Sequence, residues 1–386
     1  MSWNGIPDPI SNTSYVVISI YAISLYIRYG QIYRLAYVFP ILISILTATS
    51  VSVFAGTNRF PDLRQLETKY LSVWFNLVNS SSNYNPSFDL IAGTKWIVAI
   101  LSYPYIIQVY KRINSALLDS LKFAWLAGLV INIIFQIFQS FSLTSFHVNN
   151  FIQAGPLEMR ASGLATHPNA LAISVCLSIP IVSECLQKYG VSFRFLLYGL
   201  FAFSILLTQS RAGFLLYGFG LFITVFLRLL SFSRKILSII AFSVLLIWGY
   251  LSGTVIQYIS YTRLDSENVS AIVSNQIRLS LLKYGLEVFK EFPIFGGGPS
   301  LIKVSHNIYL QVLSSIGLIG LIAFLNLFVQ IVLKNWKKHY ESNVIVIIFL
   351  LFGMFNNSIV DFYLYFPLGT AFILNHYQNG IRKELS

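Results

Sequence analysis

The sequence is poor in charge. Of its 386 residues only 10% are Asp, Glu, Lys or Arg, where a soluble globular domain carries about 25%. Hydrophobic residues make up 56%, and the mean hydropathy is +0.69. A water-soluble fold of this length has too little polar surface to cover so much apolar side chain, so the bilayer is the expected solvent. Cysteine is scarce too. Cys176 and Cys185 lie in one apolar run; nine residues of helix turn them about 180° apart, which excludes a disulfide framework and a thiolate metal site. No Asp-x-Asp motif and no acidic cluster lines the outer loops assigned below. No nucleic-acid-binding motif interrupts the apolar runs, so the net charge of +12 is read as the excess of Lys and Arg that membrane proteins carry in cytoplasmic loops. No internal repeat is visible, which argues against an inverted-repeat transporter. The first apolar run has no basic residue before it and no small-residue cleavage site. It reads as a retained span, not a signal peptide.

What is present is a succession of apolar runs long enough for helices that cross about 30 Å of hydrocarbon. They cover 14–33, 35–55, 90–110, 123–141, 162–186, 195–209, 212–230, 236–255, 306–333, 344–360 and 362–379. The expected fold is an all-α, polytopic transmembrane helical bundle with a large, partly helical periplasmic loop. The count is about eleven spans, or twelve, because tight pairs near 34, 210 and 361 leave it open. Residues 1–386 are expected to form a single transmembrane domain, with the loop 256–305 carrying part of the active site.

Charge sets the expected orientation. Alternate connections carry Arg28 and Arg34, Lys111 and Arg112, Lys188 and Arg194, Arg234 and Lys235, Lys334, Lys337 and Lys338, and Arg382 and Lys383. With Lys122 and Arg228 near span ends, that side collects fifteen of the 26 basic residues but four of the 14 acidic ones. The biased side is expected to be cytoplasmic. The C-terminus is then inside, the N-terminus outside, and the longer loops 56–89, 142–161 and 256–305 lie outside. Asn79-Ser80-Ser81 fits a glycosylation acceptor pattern that is frequent by chance.

The middles of the spans hold almost no charge; Lys95 and Glu184 sit near span ends, where they can snorkel. Proton- and ion-coupled transporters usually carry ionisable groups at mid-membrane. Here the unusual residues collect at the expected outer ends. Arg160 precedes Gly163 and the His167-Pro168-Asn169 start of the fifth span. Pro168 suits a first helical turn, and capping is the plainer account of His167 and Asn169, whereas Arg160 reads equally as an interfacial anchor or an anion ligand. Ser210-Arg211-Ala212-Gly213 joins two apolar runs. A guanidinium so close to hydrocarbon is costly unless paired, so an anion held there explains Arg211 better than snorkelling does. Arg278 follows Asn275-Gln276-Ile277 and opens an amphipathic run to Phe292, whose apolar side is expected to be Ile277, Leu281, Leu282, Leu286 and Phe289; alone, Arg278 reads as part of the polar face. Gly296-Gly297-Gly298 permits close backbone approach or an anion-binding nest, although a flexible turn is the commoner use of such a run. Last comes His306-Asn307-Ile308-Tyr309-Leu310 at the start of the ninth span. A helix N-terminus disfavours imidazolium, so His306 is expected to be neutral and able to accept a proton.

The segment RASGLATHPNALA, the S-R-A-G turn, an arginine ahead of FPIFGGGPS, and HNIYLQVLSSIGLIGLIAFL occur in that order. As a set, over about residues 155–330, they resemble the family that groups O-antigen polymerases with O-antigen ligases. The resemblance implies a membrane glycosyltransferase of the GT-C class in the bacterial inner membrane, using glycan donors on undecaprenyl pyrophosphate at the periplasmic face. It implies functional roles for the residues matching Arg211, Arg278 and His306, and less directly for Arg160. His306 is then the catalytic base and the arginines hold the pyrophosphate, with His167, Asn169, Asn307, Gly296, Gly298 and Tyr309 as supporting residues. No metal and no cofactor is required, because arginines take the role of a divalent ion. Chain-length-regulator and flippase proteins are the implied partners, besides the lipid-linked oligosaccharide and the bilayer; nucleic acid is not. Polymerase is the favoured activity, ligase the alternative, and a glycan-lipid flippase or secondary transporter the alternative from another class.

Overall fold

The structure is a computed structural model that describes residues 9–30, 38–54, 86–113, 115–141, 143, 161–165, 168–185, 190–227, 269–299, 307–335, 340–354 and 366–371. The described residues are helical, with no strand among them. In chain order the helices are α1 (Pro9–Tyr29), α2 (Phe39–Phe54), α3 (Pro86–Ile113), α4 (Ser115–Ser140), α5 (Pro168–Cys185) and α6 (Val191–Thr208). They continue with α7 (Arg211–Leu221, followed by the π-helical Phe222–Leu227), α8 (Val269–Glu291), α9 (Ile308–Asn335) and α10 (Tyr340–Gly353). Among them, Asp89–Tyr110, Ala116–Ser140, Pro168–Cys185 and Ile308–Leu333 are long and apolar enough to cross a membrane. Val16–Tyr29, Phe39–Phe54, Ser192–Thr208, Arg211–Thr224 and Glu341–Gly353 are shorter apolar helices. The expected span 236–255 lies outside the described residues, as do the outer loop 56–85 and most of 142–160. Of the span 362–379 the structure describes 366–371, which are helical.

The chain divides into two compact units, residues 1–120 with 277–386, and residues 121–276. The second is organised on α5. Every residue from Ala170 to Ser183 is buried, as expected for a helix that is apolar all round. Small residues make this packing close: Gly213 of α7 lies so near that an added Cβ would stand 2.7 Å from the Ala172 side chain. The hydroxyls of Ser174 and Ser178 donate to carbonyls one turn back, Ala170 O at 2.9 Å and Ser174 O at 2.6 Å. At the other end of α5, Glu184 does not snorkel. It pairs with Lys122 of α4 at 2.7 Å, and Lys122 is only 2% exposed, because a buried ammonium needs its counter-charge close by.

In the first unit, α1 packs on α3 through tyrosines. The Tyr26 and Tyr105 rings lie 6.1 Å apart, Tyr105 donates to Gly30 O at 2.9 Å, and the Tyr21 and Tyr110 hydroxyls share a hydrogen bond. Helices α2 and α3 approach closely at Gly93, where a Cβ would stand 2.3 Å from Thr49 Oγ1. Helix α9 packs on α10 through Phe324, Phe328 and Phe349, with ring centroids 4.8 to 6.4 Å apart. The outward side of α1 remains apolar: Val16, Ile20 and Ile23 are exposed. Such a surface suits lipid rather than water.

Candidate functional site

The S-R-A-G turn is assembled from local rules. Helix α6 ends at Thr208, and Gln209 takes a left-handed conformation (φ 49°), which reverses the chain. Ser210 is then the N-cap of α7: its hydroxyl accepts from Gly213 N at 3.2 Å. Gly213 is also the contact with Ala172 of α5. Serine and glycine therefore have structural duties. Arg211 is the first residue of α7. A cation in the first turn opposes the helix macrodipole, and no acidic residue stands there to offset it. Arg211 is half-buried at the end of an apolar helix, where its charge and the α7 N-terminus both favour an anion.

The fifth-span motif enters through a turn, Ala161–Ala165, held by three amides of α4. Gln139 Oε1 accepts from Gly163 N at 2.8 Å and Ser162 N at 3.2 Å, while its Nε2 donates to Gly163 O at 2.8 Å. Gln136 donates to Ala161 O at 3.2 Å and Ser204 O at 3.0 Å, and accepts from Ser204 Oγ at 2.6 Å. Asn132 accepts from Leu164 N at 2.8 Å. Gly163 has φ +60°, and a Cβ there would stand 2.1 Å from Asn132 Oδ1. Sequence reasoning missed these amides because it looked for charge. Their spacing, Asn132, Gln136 and Gln139, was the available signal: one helical face of polar residues in an otherwise apolar run. Asn169, the second residue of α5, is half-buried. Arg160 and His167 lie outside the described residues.

In the first unit, Arg278 is half-buried on α8. The apolar face differs from the expected one: Leu281, Tyr284 and Val288 are buried, Leu282 and Phe289 half-buried, and Leu286 exposed. The face turned because Gly285 closes on Leu310 of α9, where a Cβ would stand 3.0 Å from the leucine side chain. That brings positions 281, 284, 285 and 288 inward.

The glycine run is neither a flexible turn nor an anion nest. Gly296 N donates to Phe292 O at 3.0 Å, Gly297 N to Ser314 O at 2.8 Å and Gly298 N to Ser315 O at 3.1 Å. In return, Leu318 N donates to Pro293 O at 2.9 Å. The cause is a break in α9 at Gly317 (φ 73°, ψ −172°), a conformation open essentially to glycine alone. The break takes Leu318 N away from Ser314 O, and an apolar bundle tolerates a broken helix only if the freed groups find partners. The loop provides them. Contact is tight enough that a Cβ on Gly296 would stand 2.3 Å from the Ser315 carbonyl carbon, and one on Gly317 2.0 Å from Ile294 O. With its amides committed to carbonyls, the loop offers no N–H of Gly296, Gly297 or Gly298 to an anion.

Helix α9 starts at Ile308, two residues later than the expected span. Asn307 is the reason: its Oδ1 accepts from Leu310 N at 3.0 Å, an N-cap bond, and its Nδ2 donates to Met354 O at 3.3 Å. Tyr309 donates to Leu350 O at 2.6 Å and packs edge-on to Phe324. Both tie α9 to the end of α10. His306 lies outside the described residues, immediately before this cap in sequence.

Another group at this end of the first unit escaped the sequence reading. Asp89, in the first turn of α3, is fully buried and accepts a hydrogen bond from Ser52 of α2. A Cβ on Gly298 (φ +122°) would stand 2.6 Å from Ser52 Oγ and 2.8 and 2.9 Å from the Asp89 carboxylate oxygens. The glycine loop is thus enclosed between a broken helix and an acid–hydroxyl pair.

Among curated proteins none matches the chain significantly. Residues 196–325 match the family model described as O-Antigen ligase, a segment that holds Arg211, Arg278, the glycine run and the H-N-x-Y-L motif but not Arg160, His167 or Asn169. The match covers about a third of the 386 residues, so the chain is similar to that family over this segment, and the apolar helices suit an integral membrane protein.

Proposed function

We propose that the protein is a polysaccharide polymerase of the bacterial inner membrane. It transfers a glycan from undecaprenyl pyrophosphate to a lipid-linked repeat unit at the periplasmic face, with inversion and without a metal. The observation that carries the reading is the setting of Arg211, a half-buried cation on the first residue of α7, after a serine that already caps the helix. Nothing in helix physics favours a cation there, and an anionic ligand does.

In the reaction, the acceptor hydroxyl attacks the anomeric carbon from the side opposite the pyrophosphate. The new C–O bond forms as the bond to pyrophosphate breaks, and the leaving lipid pyrophosphate keeps the electron pair. His306 takes the hydroxyl proton. Arg211 and Arg278, with Arg160, hold the pyrophosphate by bidentate hydrogen bonds and stabilise its growing charge. His167, Asn169, Asn307, Gly296, Gly298 and Tyr309 support these groups. Of them, Asn307 and Gly298 have the most direct means, a helix cap and a close backbone approach.

The test supplies purified protein with a lipid-linked repeat unit, with and without lipid A–core. A ladder of products without core is expected. Product formed only with core assigns the ligase activity instead, and no turnover with either favours lipid or solute transport. In an active preparation His306→Ala is expected to abolish transfer with donor binding retained; full activity of that variant would sink the assignment of the base.

A further inference from the structure

The resemblance gives no role to Asp89, and the amino-acid pattern marks it only as an acid in the first turn of a helix. Such an acid stabilises a helix from the surface as well as from the interior. Asp89 is instead 0% exposed, and Ser52, which donates to it, is 1% exposed. Burying a carboxyl inside an apolar bundle costs several kcal/mol unless it is well bonded, so dipole stabilisation explains the residue type but not its place.

What the burial achieves is visible at Gly298. Helices α2 and α3 are locked by the Gly93–Thr49 approach, about one turn along each helix from Ser52 and Asp89. The pair therefore stands on a rigid base. Gly298 closes on it within van der Waals contact, with φ +122°, while Gly297 N and Gly298 N hold the other side of the loop to Ser314 O and Ser315 O. Removing the pair leaves the loop pinned on one side only. The chain after Gly298 reaches His306 within eight residues.

We infer that Asp89, bonded to Ser52, is a positioning residue: the pair is the stop against which Gly298 closes, and so fixes the glycine loop that precedes His306 in the sequence. This inference rests on the glycosyl-transfer reading for its catalytic consequence, though not for its structural one.

The test compares the full-length protein with Asp89→Ala and Ser52→Ala, and with Asp89→Asn in case Asp89→Ala is not recovered folded. Two quantities are read. Hydrogen exchange of the peptide covering 293–299 is expected to rise by about tenfold in the variants, with other peptides of the first unit unchanged. Turnover is expected to fall about tenfold or more with the donor KM within about twofold, because misplacing a general base lowers kcat while the arginines proposed to hold the donor are unchanged. Gly298→Ala is expected to lower turnover similarly, and its effect to be non-additive with that of Asp89→Ala.

Unchanged exchange at 293–299 would overturn the inference. So would a uniform rise across the first unit with normal turnover per folded molecule, which is the mark of a merely structural acid. Exchange that rises at the loop in a protein showing no transfer to either acceptor upholds the hold on the loop and overturns the reaction reading instead.

Discussion

The S-R-A-G turn and the glycine loop both lie in the segment that matches the family model, and both place glycine at a close approach. They differ in what they leave over. In the turn, Ser210 caps α7 and Gly213 meets Ala172, two contacts made by other residues than Arg211. The guanidinium adds a positive charge where the helix macrodipole is already positive. In the loop, the Gly296, Gly297 and Gly298 amides all go to carbonyls, two of them on the broken α9. A glycine run that follows an arginine in sequence invites the reading of a phosphate cradle, yet these three amides are scaffold. The lesson is to count backbone donors before assigning them to an anion.

Substitutions at three positions break or sharpen this contrast. The largest effect is expected from Gly317→Ala. Its Cβ would overlap Ile294 O, and the backbone there is closed to alanine. A loss of stability above about 4 kcal/mol is expected, read as a collapse in the yield of monodisperse protein and in its melting temperature. Recovery of a fully stable variant would show that the loop and α9 are not locked together. Next is Arg211→Ala, with the opposite signature. The protein is expected to melt within a few degrees of the parent, because Ser210 and Gly213 still complete the turn. Turnover is expected to fall about 100-fold, the cost of one lost donor to developing charge, with weakened donor binding and unchanged acceptor binding. Equal weakening of both substrates would make the arginine structural. The smallest effect is Ser210→Ala, about 1 kcal/mol of stability for a lost N-cap. Ser210→Gly is expected to cost only a few tenths of that amount. If thermal melts rank these two in the reverse order, the hydroxyl is serving something other than the cap.

Legibility in the sequence followed the distance over which a contact acts. Ser210 bonds three residues ahead, and so does Asn307, so the helix starts at α7 and α9 were readable to within two residues. The apolar runs behaved likewise: most of the described helices lie where hydropathy placed them, because a helix satisfies its own backbone. The α8 face was misjudged at Leu286, since Gly285 yields its face to Leu310, a residue 25 positions away. The Gln139 clamp, the Lys122–Glu184 pair and the Asp89–Ser52 pair join residues 23 to 62 positions apart. No periodicity encodes such partners.

By itself the sequence determined the solvent, the helical class and the family motifs, because these follow from composition, from i-to-i+4 backbone bonding and from short local patterns. It also picked out Arg211 as a cation near hydrocarbon that a held anion explains better than snorkelling does. Only the tertiary structure decided what the glycines are for. A glycine declares freedom, not direction, and three amides can turn to an anion or to a broken helix with equal ease until the packing of α9 at Gly317 leaves carbonyls that must be met.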